Sequence, residues 1–181
     1  MFYDTSTATI ANTAAPTLSS DSPNPPSYGA FPAPGSTVTL ALTDPDSSEI
    51  VPATSPRFAG DLALDSQGDQ QLIFDHHVGA HQDLSVLFLS QSIDDGAYID
   101  DEEGAVYLTD ATTNEIVRLR GNLTPGEVLV SATPGDANNS VNAPNYLATL
   151  DLNTGTVTEV AALSTLHPKG MIFVSGDQDR R

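Results

Sequence analysis

This chain of 181 residues has no cysteine and no tryptophan, and it is poor in basic residues: one lysine and five arginines face 24 acidic residues, for a formal net charge of −18. Without cysteine there is no disulfide framework and no thiolate metal site, so stability must come from packing and strand pairing. The shortage of Lys and Arg argues against a nucleic-acid partner, because phosphates are bound by clustered basic side chains that release counterions. The same negative field repels anionic membrane surfaces. No run of eighteen apolar residues occurs, and the opening Met-Phe-Tyr-Asp-Thr-Ser-Thr-Ala-Thr-Ile lacks the basic start and apolar stretch of a secretory signal. No membrane insertion is therefore expected. The single lysine, Lys169, sits in no phosphate-binding loop, and neither a Gly-x-Ser-x-Gly elbow nor a His-Glu-x-x-His pair is present.

What the chain does have is a repeated pattern. Gly60-Asp61-Leu62-Ala63-Leu64-Asp65, Gly68 and Gln71-Leu72-Ile73-Phe74-Asp75 are echoed by Asp95-Gly96-Ala97-Tyr98-Ile99-Asp100, Gly104 and Val106-Tyr107-Leu108-Thr109-Asp110. Each copy predicts two apolar strands joined by a polar turn ending in Gly and closed by Asp, and recurrence of such a hairpin signals a β-repeat architecture.

The rest of the chain divides in two. Residues 1–35 are rich in Thr, Ser, Ala, Asn and Pro, with Pro23-Asn24-Pro25-Pro26 and Pro32-Ala33-Pro34 interrupting any regular element, and are expected to form a disordered leader. Phe2-Tyr3 is a short apolar piece within it, able to add a strand to a neighbouring edge. Residues 36–181 carry the β region. Val38–Leu42 and Glu49–Val51 are expected to pair across the turn cluster Asp44-Pro45-Asp46-Ser47-Ser48. Further strands are expected at 84–89, 115–120 and 127–131, which makes the second repeat a four-stranded unit, and at 147–152, 156–160 and 168–174. Asn153-Thr154-Gly155 has the glycine that a three-residue hairpin loop uses in its left-handed position. No 3.6-residue apolar period lasts ten residues, so almost no helix is expected.

The runs Gly104–Leu119, Asp151–Val157 and His167–Phe173 resemble the blade signature of gluconolactonase-like and NHL-type six-bladed β-propellers, over roughly residues 58–175. The resemblance implies an all-β fold of antiparallel meander blades; a β-sandwich is the alternative. Blades of about 40–50 residues fit only about three times into residues 36–181, so the propeller is expected to be incomplete, a fragment or truncated relative. Its open strand edges then favour self-association.

Two candidate sites follow. Asp75, His76, His77 and His81 crowd one loop, where imidazole and carboxylate groups can converge on Zn²⁺ or a similar ion. Gluconolactonase-like enzymes hold a divalent metal at the channel mouth with residues that include one just before the Gly of a first strand, and Asp95-Gly96 resembles that position. The equivalent place later is Lys169-Gly170, a cation where the family needs a ligand. The many Asp residues also suit Ca²⁺, although most of this charge reads as a solvated surface. The expected function is a non-enzymatic propeller-type binding or scaffold protein acting on an unknown ligand or protein, extracellular or periplasmic. The alternative is a metal-dependent lactonase-like hydrolase in which water activated on an Asp95-bound divalent cation (Ca or Zn) attacks an ester carbonyl.

Overall fold

The computed structural model describes residues 9–14, 33, 35–39, 42–76, 83–136, 139–140 and 142–176. Its strands are β1 (Thr9–Ala14), β2 (Thr37–Thr39), β3 (Pro45–Ile50), β4 (Leu62–Ser66), β5 (Gln71–Asp75), β6 (Leu84–Phe88), β7 (Ile93–Tyr98), β8 (Ala105–Asp110), β9 (Glu115–Leu119), β10 (Val128–Ala132), β11 (Gly135–Asp136), β12 (Asn139–Ser140), β13 (Tyr146–Asp151), β14 (Thr156–Glu159) and β15 (Pro168–Val174). Helical structure among the described residues is limited to two 3₁₀ turns, Gln67–Asp69 and Ala161–Leu163. The chain is all-β, as its periodicity predicts, and none of its sheets closes on itself. No described helix is long and apolar enough to cross a membrane.

Three sheets carry the fold. Sheet A has the order β2-β1-β6-β5-β4-β3, sheet B the order β14-β13-β10-β7, and sheet C the order β15-β8-β9; β11 and β12 form a separate ribbon. All pairs are antiparallel except β1 with β6. One apolar cluster joins Ala63, Leu72, Phe74 and Leu87 of sheet A to Ile93, Tyr98, Val128, Val130, Ala148 and Leu150 of sheet B. A second joins Ala97, Leu129 and Leu147 of sheet B to Val106, Leu108 and Met171 of sheet C. Sheet B is therefore the middle layer, and the sequence of β10, Val-Leu-Val-Ser-Ala, is buried at every position. A strand covered on both faces reads as a continuous apolar run, whereas β8 alternates, with Tyr107 and Thr109 turned outward.

This difference in burial corrects the repeat. The first copy forms its hairpin, with β4 and β5 paired from Leu62↔Asp75 to Ser66↔Gln71. The second does not: β7 pairs with β10, while β8 pairs with β9 and β15. Ile93, Tyr98, Ala97 and Ile99 give β7 and its end apolar groups on both faces, so it belongs in the middle layer and β8 in an outer one. The expected four-stranded unit is thus divided between sheets B and C. The expected pairing of residues 38–42 with 49–51 is also absent, since β2 and β3 lie at opposite edges of sheet A. Pro45, read as a turn residue, instead starts the edge strand β3, a place where a missing amide is tolerated. The leader contributes β1, which inserts between β2 and β6; Phe2 and Tyr3 lie outside the described residues. The β13–β14 hairpin forms and Gly155 takes positive φ, +72°, but the closing pair is Asp151↔Thr156, so the loop has four residues, 152–155, rather than the three expected.

Candidate functional site

Strand register decides which side chains face the space between sheets A and B. In sheet A, Glu49 stands opposite Ala63, which stands opposite Phe74, and Asp65 stands opposite Leu72. Because side chains alternate, Ala63, Asp65, Leu72 and Phe74 share the inward face, and a carboxyl occupies a place where its neighbours are apolar. The register slips between Pro45 and Ser48, and a small cavity lies beside Asp65 at this end of β3. Its lining includes Ser47, Ser48, Glu49, Asp65 and Tyr98, with Leu72, Ile93, Val128, Val130 and Leu150 behind. Asp65 is 1% exposed, and neither of its carboxyl oxygens has a hydrogen-bond partner. Burial, followed by the charges of Asp46, Asp94, Asp95 and Asp44, pushes its pKa up to about 9. Burial and then Asp95 and Asp100 push Glu49 up to about 7. Tyr98 is raised as well, by burial and by Glu49 and Asp65.

Next to this cavity is an acidic end organised around Asp94 of β7. One Asp94 oxygen accepts from Lys169 Nζ at 2.7 Å and Gln67 Nε2 at 3.1 Å, and the other from Asn145 Nδ2 at 3.2 Å. Burial first and then the neighbouring Asp94 raise the pKa of Asp46, and Lys169 opposes the rise. The only lysine of the chain is thus a resident counter-ion, with its side chain 59% exposed and that of Asp94 6%. Lys169, which stands where the lactonase-like pattern needs a ligand, is paired with Asp94.

A third constellation was not foreseen. His76 Nδ1 lies 2.6 Å from Asp61 Oδ2, and His76 Nε2 lies 2.8 Å from Ser85 Oγ. A line of Ser, His and Asp is the arrangement that activates a serine, but Ser85 is in the middle of β6 and 5% exposed, so a substrate carbonyl has no approach to its hydroxyl. Here the line works as a brace. It ties the segment between β3 and β4 to β6, and Phe58 of that segment stacks on Phe74 with centroids 3.7 Å apart and planes 7° from parallel. Arg57 lies over the Phe58 ring, 4.5 Å from its centroid, and donates to the carbonyls of Leu152 and Asn153.

The residues expected to bind metal have these positions. Both ring nitrogens of His76 are engaged in the brace, and His77 and His81 lie outside the described residues. Asp75 ends β5 and is buried. Asp95 accepts from its neighbour's amide, Gly96 N, at 2.8 Å and from Met171 N at 2.6 Å, so it fastens β15 beside β7. Among the described residues no three of His, Cys, Asp and Glu are grouped so as to hold a metal ion. Sequence reasoning missed Asp61, Ser85, Glu49 and Asp65. For Asp65 the signal was present: in Leu62-Ala63-Leu64-Asp65, the alternation that makes Ala63 a core residue makes Asp65 one too. No family model, no curated protein and no solved structure matches this chain.

Proposed function

We propose that this chain is a non-enzymatic, extracytoplasmic scaffold that associates with a second copy through the uncovered face of sheet C. The observation that carries this reading is the exposure of Ile116 at 75% and Ile172 at 56%. Both lie on one face: Ile116 is opposite Thr109, and Ile172 is opposite Tyr107, which faces Arg118 on its other side. Sheet B is covered by A and C, and on the far face of sheet A Val38, Leu42, Leu64 and Leu84 are partly buried against Ile73 and Val86, with Ile50 at its edge 53% exposed. Sheet C has its inner face covered and its outer face in solvent. An exposed apolar face next to an edge strand such as β9 is a place for another chain to add. Two of the six basic residues, Arg118 and Arg120, lie on or just beyond β9, which lowers repulsion between two strongly acidic copies at this face. For the fold, the β3–β6 meander is of the propeller-blade kind, whereas the exchange of strands between sheets B and C supports the β-sandwich alternative.

Sedimentation velocity over a range of concentration and salt tests the proposal. Association is expected to grow with concentration and with salt, since salt screens the charge of −18 on each copy. The Ile116→Asp, Ile172→Asp variant should keep the wild-type circular dichroism spectrum and remain monomeric. A wild-type monomer under all conditions, or equal association of the variant, would overturn the reading.

A further inference from the structure

We propose that the cavity between sheets A and B is a binding site for one hard divalent cation, with Asp65 as its buried ligand and Glu49 and Ser47 completing it from the edge strand β3. Asp65 is set apart by the partners it lacks. Other carboxylates at this end and in this core have donors: Asp94 has Lys169, Gln67 and Asn145; Asp95 has two backbone amides; Asp61 has His76. Asp65 is more deeply buried than any of these three and neither of its oxygens has a hydrogen-bond partner. An isolated carboxylate in apolar surroundings costs several kcal/mol or more unless a proton or a cation accompanies it.

The space beside it has the size of an ion. The cavity volume is about 20 Å³, against about 10–15 Å³ needed to hold one water. Its polar side chains are carboxyls and hydroxyls, from Asp65, Glu49, Ser47 and Tyr98, with no histidine; Ser48, opposite Leu64 in the register, turns to the other face. Such donors suit Ca²⁺ or Mg²⁺ rather than Zn²⁺. The charges of Asp44, Asp46, Asp94 and Asp95 act on Asp65 and draw a cation to the same end of the sheets. With two carboxylates in the lining and room for little beyond the ion itself, coordination is incomplete and a dissociation constant no tighter than about 10⁻⁴–10⁻³ M is expected for Ca²⁺. This site is independent of the sheet C face and stands whether or not the chain associates.

Titration calorimetry with Ca²⁺ at constant ionic strength, together with Tb³⁺ luminescence, tests it. Tyr98 lines the cavity and the chain has no tryptophan, so a Tb³⁺ ion held there is sensitised by that tyrosine. Wild type should bind one Ca²⁺ per chain and give sensitised Tb³⁺ emission that Ca²⁺ quenches by competition. Asp65→Asn should weaken binding at least tenfold and abolish the emission, and Glu49→Gln should weaken both. Tyr98→Phe should lose most of the emission but keep the calorimetric binding, and Asp44→Asn with Asp46→Asn, which removes attracting charge but no ligand, should keep one site per chain and weaken it less than Asp65→Asn does. Equal titrations of wild type and Asp65→Asn, whether as many weak surface sites or as no binding at all, would overturn the proposal.

Discussion

Asp110, at the end of β8, shows how a single carboxylate holds a turn in this protein. Burial works against its charge, but the amides of His167, Thr112 and Thr113 and the Thr112 hydroxyl all donate to it, and together they hold its pKa below the usual carboxylate range. Replacing it with Ala leaves those donors without their acceptor, and a loss of about 1–3 kcal/mol is expected in urea denaturation at neutral pH. The pH dependence follows from the direction of the shift. A depressed folded pKa means that the contribution is present above the unfolded value near 3.9 and is lost as pH falls through the lower folded value. Wild type should therefore lose stability below about pH 4 more steeply than Asp110→Ala. An equal slope in both proteins would remove Asp110 from the account. His76 makes the complementary point about legibility. Its loop reads as flexible and metal-binding because three histidines are close in sequence, yet its partners, Asp61 and Ser85, are 15 and 9 residues away, and no local pattern announces them.

At the scale of elements, two turn glycines separate backbone strain from crowding. Gly60 and Gly155 both have positive φ, at +86° and +72°. A Cβ on Gly60 meets nothing within 4 Å, whereas one on Gly155 would overlap the Phe88 carbonyl, so the β13–β14 turn is fitted against the end of β6. Gly60→Ala should cost about 1–2 kcal/mol for the left-handed conformation alone. Gly155→Ala should cost clearly more, as read from thermal or urea unfolding, and should loosen the Ser90 amide that donates to the Gly155 carbonyl. Equal costs would show that the turn does not press on β6. These local turns are also what the sequence states most clearly: Asn153-Thr154-Gly155 and the 67–70 turn each join strands adjacent in the chain, and both hairpins form. The alternating patterns also locate most strands. The partners of β7, β8 and β1 were not legible, because β10, β15 and β6 are tens of residues distant and pairing at that range is decided by which faces must be buried, not by turn chemistry.

For the whole molecule, the claim on which the rest depends is that sheet B is a middle layer. It places Asp65 between two sheets, it leaves sheet C with one bare face, and it requires β7 to lie beside β10 with β8 in another sheet. The chain's lack of cysteine makes this directly testable with paired cysteines. Gly96 and Val130 are register partners across β7 and β10, and a Cβ built on Gly96 lies 3.6 Å from Val130 Cγ1, within reach of a disulfide. In the rival arrangement, where β7 and β8 form a hairpin in the register of β4 and β5, Gly96 would instead face Ala111, just beyond the end of β8. Mild oxidation of the Gly96→Cys, Val130→Cys chain and of the Gly96→Cys, Ala111→Cys chain, read by intact mass and non-reducing gel mobility, distinguishes the two. The account predicts an intramolecular disulfide in the first and free thiols in the second; closure of the second without the first would contradict it.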